Sequence, residues 1–465
     1  MNLSSSLVEK TLVPTRQERG GDVWVLVAII FYFVAQMCVR VMIGPTLELD
    51  EAEAFWYARH FALGYGAQPP LYFWLQWIFF QVLGEGILAL AALKAVVFSI
   101  GLITVFRTLL VLGFERQVAI VGVLSLGLLP EVVWESQRAL THTVLVLTLT
   151  ALALRVALNV LTLGRWRDYL AFGLVLGLGL LSKYNFVFNI LGLTCALTLS
   201  SAWRERGEIW RLAATLGICL TLALPLVAFA YLSPEKALSS VHKLAMHAGW
   251  SPLDPLRYLA AFGEAALGLL ALPLVIIGPL AVSKGLNTRD ARLVFLWRSA
   301  LAALVAVLLL GLITGATAVR GRWLMPVVWP LVVAETVALW IRLADAARRN
   351  LALGLSAMWL IAALALPYAT LRNPGYRNAD FSKLLSIVPA EARVASDSIW
   401  VLGNLSLLNP DLELSIVDAG TLPHTLILME EGTVAKKVGA DTPKRFVKIQ
   451  HGNLVATVVL TGVLN

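Results

Sequence analysis

Two adjacent carboxylates, Asp50 and Glu51, stand in "GPTLELDEAEAFWYARHF", directly after an apolar run long enough to cross a bilayer. A carboxylate held at such an edge can take a proton from an attacking hydroxyl. Charge at a membrane is costly and marks function by default. Other polar side chains fall at matching ends of later apolar runs. They are Lys94; Glu131, Glu135, Arg138 and His142; Lys183; Glu264 with His242, Lys243 and His247 before it; and Arg320 with Arg322. Both signs are present, as expected of a site where an anionic group meets a carboxylate-bearing pocket. Each residue also has a plainer use. Lys94 and Lys183 can snorkel from helix ends, and Asp50 can cap the helix that it opens. The others can belong to solvated loops.

The elements that must position these groups are membrane spans. The chain has 465 residues, 59% of them hydrophobic, and a mean hydropathy of +0.79. Only 14% are charged, where a soluble domain carries roughly a quarter. A span needs about 20 apolar residues. Candidate spans fall near 23–43, 86–112, 117–134, 141–161, 168–183, 185–201, 210–231, 257–283, 298–318, 323–341 and 351–369, about eleven helices. The stretch before the first span is too polar for a cleaved signal peptide. Cys38, Cys195 and Cys219 all lie in apolar runs without metal-ligand spacing and read as small buried hydrophobes.

The net charge of +8 fits a membrane protein with basic cytoplasmic loops better than a nucleic-acid binder. With the N-terminus inside, the inner loops are "FERQ", "GRWRD", "WRERGEIWR", "SKGLNTRDARLVFLWR" and "IRLADAARRN", all basic. The opposite loops are mixed in charge. The candidate site therefore belongs to the outer face, which is periplasmic in a Gram-negative cell, of a multi-pass inner-membrane protein.

Loop 44–85 has two further signals. Residues 50–63 have the pattern of an amphipathic interfacial helix, and Trp56, Tyr57, Tyr65, Tyr72, Phe73, Trp74 and Trp77 form an aromatic belt. "GYGAQPP" then turns the chain back into the bilayer. Beyond the last span, residues 370–465 hold short β-rich segments ("RVASDSIW", "LELSIVD", "HTLILMEE", "RFVKIQ", "NLVATVVL"). The expected organisation is a transmembrane domain over 1–369 and a small extracytoplasmic α/β or mostly β domain over 370–465.

Three motifs carry a resemblance. "DEAEAFWYARHFALGYGAQPPLYFWL", "GLGLLSKYNFVF" and "RGRWLMPVVWPLV" resemble, in order and membrane side, segments of the dolichyl-phosphate-mannose protein mannosyltransferase superfamily. They are most similar to its bacterial aminoarabinose and galacturonic acid transferases. The resemblance covers roughly 45–340 and implies an α-helical GT-C glycosyltransferase that uses a polyprenyl-phosphate sugar at the outer face. The implied acceptor is lipid A, lipopolysaccharide core, another glycolipid or a protein. It makes Asp50 the catalytic carboxylate and leaves Glu51 to orient it or bind acceptor. It assigns Lys94, Lys183 and Arg322, with Arg320 second, to the donor phosphate. Tyr65, Gln68, Glu135, Arg138, His142 and Tyr184 are the remaining candidates for substrate contact. Many relatives have His-Pro-Pro where this chain has Gln68-Pro-Pro. Some relatives carry a divalent metal, and no metal ligands are assigned here.

The implied chemistry is a single displacement at the anomeric carbon, which inverts its configuration. Cations neutralise the leaving phosphate, and one carboxylate takes the hydroxyl proton. Glu51 follows Asp50 directly, so on a helix it points about 100° away. That favours one base over a carboxylate pair of the retaining kind. Two other classes fit the residues less well: an O-antigen ligase or polymerase, which uses long outer loops rich in Arg and His, and a polyprenyl-sugar flippase, which calls for internal repeats and midplane charges.

Overall fold

The computed structural model describes residues 16–204, 208–237, 239, 251–280, 290–372, 376–386, 388, 393–416, 426–430, 444–451 and 454–461. His242, Lys243 and His247 lie outside the described residues. The helices are α1 (Arg16–Ile43), α2 (Leu49–Ala58), α3 (Leu71–Leu83), α4 (Ile87–Val111), α5 (Arg116–Leu124), α6 (Thr141–Thr162), α7 (Trp166–Ser182), α8 (Phe186–Thr198), α9 (Ile209–Leu232), α10 (Asp254–Ile276), α11 (Ala291–Thr314), α12 (Gly321–Arg342), α13 (Asp345–Arg372) and α14 (Ile399–Leu408), with shorter turns between them.

Among the described residues eight helices are long and apolar enough to cross a membrane: α1, α4, α6 and α9 to α13. They match eight of the eleven expected segments. The other three depart from simple spans. The segment expected over 117–134 bends by 85° between Arg116–Leu128 and Glu131–Arg138. Its cause is Pro130, which disfavours helix at the residue before it; Leu129 is extended (φ −95°, ψ 112°). The segments expected over 168–183 and 185–201 are the 17-residue α7 and the 13-residue α8, separated by the turn at Lys183.

Helices α6 and α12 are mostly buried and form the centre, whereas α1, α9 and α10 show most of their apolar surface outward, as lipid-facing helices do. Helix α9 packs along α7, α8 along α11 and α1 along α4. The glycines of α7 permit this. A Cβ at Gly177 would come within 2.7 Å of Leu222 on α9. The cysteines split: Cys219 is buried, but Cys38 is exposed on the outward side of α1.

The outer loop corrects two expectations. Helix α2 stops at Ala58 rather than 63. Beyond it the Tyr65 hydroxyl takes a hydrogen bond from the Ala62 N–H (2.6 Å) and donates to the His60 carbonyl (2.8 Å), closing a turn instead of another helical one. The aromatic belt is also divided. Tyr65, Tyr72 and Phe73 are buried in protein, while Trp56, Tyr57, Trp74 and Trp77 are half-buried.

After α13 comes a five-stranded mixed sheet of order β2-β1-β3-β5-β4. The strands are β1 (Arg393–Ser396), β2 (Glu413–Ile416), β3 (Leu426–Glu430), β4 (Lys444–His451) and β5 (Leu454–Thr461), one in each of the five β-rich segments read from the sequence. Helix α14 is the crossover between the parallel pair β1 and β2. It packs against α2, so the C-terminal region touches the helix that begins with Asp50 and Glu51.

Candidate active site

The helix ends gather the polar residues around one cavity of about 380 Å³. Asp50 enters from the first turn of α2, Gln68 from the following loop, His142 and Thr143 from the start of α6. Lys183, Tyr184 and Asn185 come from the α7–α8 turn, and Arg322 and Trp323 from the start of α12. The remaining wall is mainly apolar and includes Tyr258, Val307, Leu310 and Gly311 of α10 and α11.

Three helices, α6, α8 and α12, thus begin at the cavity. Their positive dipole ends favour an anion there. Lys183 and Arg322 add two formal positive charges. The Lys183 ammonium donates to Thr143 Oγ1 at 2.7 Å, which fixes it across the start of α6. Asn185 Nδ2 donates to the Trp323 carbonyl at 3.0 Å and ties the α7–α8 turn to α12. His142 is held between the Tyr72 and Phe73 rings, at 5.1 and 4.7 Å.

Glu53 also lines the cavity. It follows Asp50 by three residues and so shares its helix face. Burial, then the nearby Glu53 charge, pushes the Tyr57 phenol up to about 12. Glu53 is not among the residues singled out from the sequence, although its three-residue spacing from Asp50 is visible there.

Glu51 is elsewhere. Its carboxylate accepts from Arg40 Nε (2.9 Å) and Nη2 (2.7 Å), from Arg377 Nη2 (3.0 Å) and from the Glu48 N–H (3.1 Å). It is buried. Burial alone would raise its carboxyl, but Arg377 and Arg40 hold it well below the usual carboxylate range. Glu51 therefore stands apart from the cavity that Asp50 lines, its oxygens taken up by protein groups. Arg40 falls inside the span expected over 23–43. An arginine at the outer end of an apolar helix runs against the positive-inside pattern, and that was the available signal.

Lys94 lies with Glu51, Arg40 and Arg377 around a smaller crevice of about 50 Å³. Its ammonium donates to the Ala139 carbonyl at 2.9 Å and is within Coulomb reach of Asp50. Of the other candidates, Arg320 is the exposed residue preceding α12. Glu135 and Arg138 pair with each other at 3.1 Å and are partly exposed. Tyr65 sits behind Gln68, which reaches its carbonyl through the backbone (3.4 Å). Glu264 is exposed on α10, and Glu131 lies against Gly321 at the start of α12.

Among the described residues no three His, Cys, Asp or Glu side chains gather as metal ligands. Asp50 and Glu53 alone do not build such a site, so no step is derived through a metal.

Comparison with known proteins bears on the family and the fold. The family profile for dolichyl-phosphate-mannose-protein mannosyltransferase matches residues 67–229. The lipopolysaccharide core galacturonosyltransferase RgtA of Rhizobium johnstonii is 30% identical over 412 residues, 83% of this chain and 81% of that protein. RgtB of the same organism is 32% identical over 327 residues, 68% of this chain and 65% of its own length. The crystal structure of ArnT from Cupriavidus metallidurans superposes with a TM-score of 0.65 at 15% identity, covering 96% of this chain and 98% of that one. Its complex with undecaprenyl phosphate gives 0.64 at 14% identity with the same coverage.

Proposed function

The chain belongs to the protein mannosyltransferase-like superfamily of GT-C glycosyltransferases, and on that premise we propose that it transfers a uronic acid from a polyprenyl phosphate to lipopolysaccharide core at the periplasmic face of the inner membrane. One observation carries the reading. Asp50, Lys183 and Arg322 line a single cavity at which three helices begin. The sugar and acceptor classes are those in the names of the core galacturonosyltransferases RgtA and RgtB. The donor lipid class is supported by the fold shared with ArnT, which has been crystallised with undecaprenyl phosphate.

The reaction is a single displacement. The acceptor hydroxyl oxygen forms a bond to the anomeric carbon while the bond from that carbon to the phosphate oxygen breaks. The electron pair leaves on the phosphate, where Lys183 and Arg322 meet the growing charge; such contacts are strongest out of water. The hydroxyl proton goes to the Asp50 carboxylate. Lys94 acts at longer range, adding positive potential from behind the 137–140 turn. Gln68, His142, Tyr184 and Glu53 hold hydroxyl groups of the sugar or acceptor. The apolar wall on α10 and α11 receives the first isoprene units. The chain divides into this transferase domain, 1–369, and a small periplasmic domain, 370–465.

Mass spectrometry of lipopolysaccharide from a deletion strain tests the reading. Loss of a core uronic acid, restored by the wild-type gene and not by Asp50→Asn, is the expected result. Unchanged lipopolysaccharide in the deletion strain would refute the acceptor, and full restoration by Asp50→Asn would refute the catalytic assignment.

A further inference from the structure

One guanidinium group touches the supports of both walls of the cavity. Arg377 Nη2 donates to Glu51 Oε1 at 3.0 Å, immediately beside Asp50, from 326 residues away in sequence. The same nitrogen donates to the carbonyls of Arg138 and, at 3.4 Å, Gln137. Those carbonyls lead into Leu140, which has a positive φ of 53°, and then into His142 on the opposite wall. A leucine in the left-handed region is strained and persists only where its surroundings impose it. Arg377 and Lys94, on the Ala139 carbonyl, supply part of that imposition.

Helix α14 makes a second hold, on the segment around Asp50. Asn404 accepts from the Leu47 N–H at 2.7 Å and donates to the Leu47 carbonyl at 3.3 Å. Trp400 Nε1 donates to that carbonyl at 2.9 Å. Gly403 lies flat on α2: a Cβ there would stand 2.5 Å from the Ala52 carbonyl oxygen. At the far end of α2, Arg59 donates to the Ser406 hydroxyl. The backbone on both sides of Asp50 is therefore fastened by residues that follow the last span.

We infer that Arg377 and α14 form a bracket that sets the place of Asp50 relative to His142 and Lys183, and that Arg377 is a positioning residue for the transfer step. This rests on Asp50 being the base. Proton transfer needs heavy atoms within hydrogen-bond reach, and a displacement of about 1 Å at such a centre costs up to about 10²-fold in rate. Asp50 itself stands on the cavity wall, half-buried, so its position depends on what holds its helix.

The test uses the purified full chain in nanodiscs, with undecaprenyl phosphate as the binding probe and undecaprenyl-phosphate galacturonic acid plus lipopolysaccharide core as substrates. Arg377→Met should lower kcat by about 10- to 100-fold while the donor KM and the Kd for undecaprenyl phosphate stay within about threefold. Arg377→Lys should recover at least about threefold of that loss, because an ammonium still reaches one acceptor. In Asp50→Asn, adding Arg377→Met should cost less than about threefold more, since residues acting through one group are not additive. Losses that multiply, or a weakened Kd with unchanged kcat, would overturn the inference. Full turnover by Asp50→Asn alone would instead overturn the assignment of the base. Asn404→Ala decides the matter if Arg377→Met fails to fold. It leaves no buried charge, and it should show the same kcat-only pattern at roughly threefold to tenfold; wild-type kcat would overturn the bracket.

Discussion

Asp50 and Glu51 are neighbours of nearly the same chemistry, yet one helix step sends them to opposite surroundings. Asp50 joins a cavity of about 380 Å³ where Lys183, His142, Arg322 and Glu53 leave room for a ligand. Glu51 enters a closed cluster in which its oxygens meet Arg40, Arg377 and a backbone N–H, beside a crevice of about 50 Å³. A carboxylate whose acceptor positions are already filled cannot accept a substrate proton without breaking that cluster. The comparison teaches that helix rotation can divide an Asp-Glu pair, one carboxylate lining an open cavity and the other closed into a charge cluster.

The comparison breaks first at Glu51. Glu51→Gln leaves Arg40 and Arg377 buried without their counter-charge, which should cost about 3 kcal/mol or more, read as a lowered unfolding temperature of the solubilised protein. Acid should act through the same group. Its folded value is depressed, so its contribution is whole above the ordinary carboxyl value of 4.5 and drains away as pH falls below it. Wild type should lose stability in that range while Glu51→Gln stays flatter. Equal acid sensitivity of the two proteins would remove Glu51 from its fastening role.

The cavity side is sharpened by its cations. Lys183→Ala and Arg322→Ala should each weaken undecaprenyl phosphate binding by about 10- to 100-fold, the worth of a charge-assisted hydrogen bond, measured by titration in nanodiscs. Lys94→Met should weaken it less, because the ammonium is spent on the Ala139 carbonyl. The smallest effect is expected at Arg320, exposed beside α12. Arg320→Ala should alter binding by less than about twofold, as surface changes do. A larger loss at Arg320 than at Arg322 would exchange their roles.

Much of this was legible in the sequence because its signals are local. Apolar runs mark the long spans, basic loops mark one side, and "DEAEAFW" announces a helix opening with charge at the membrane edge. What was not legible depends on contacts distant in sequence. Arg377 meets Glu51 across 326 residues, and no local pattern foretells it. The end of α2 at Ala58 has a local cause of another kind: the Tyr65 hydroxyl closes a turn onto His60 and Ala62, a side-chain capture that overrides the amphipathic pattern. The bend after Leu128 could have been read from Pro130, but its angle could not. Glu53 was within reach: the spacing that turns Glu51 away from Asp50 brings Glu53 onto the same face.

The central claim is that Asp50, and not Glu51, takes the acceptor proton. Its most direct test is single-turnover transfer by Asp50→Asn with donor pre-bound in nanodiscs, beside a titration with undecaprenyl phosphate. The account predicts binding like wild type and transfer slower by about 10²- to 10⁴-fold, the usual worth of a positioned base. Transfer at the wild-type rate from the same bound donor would contradict it.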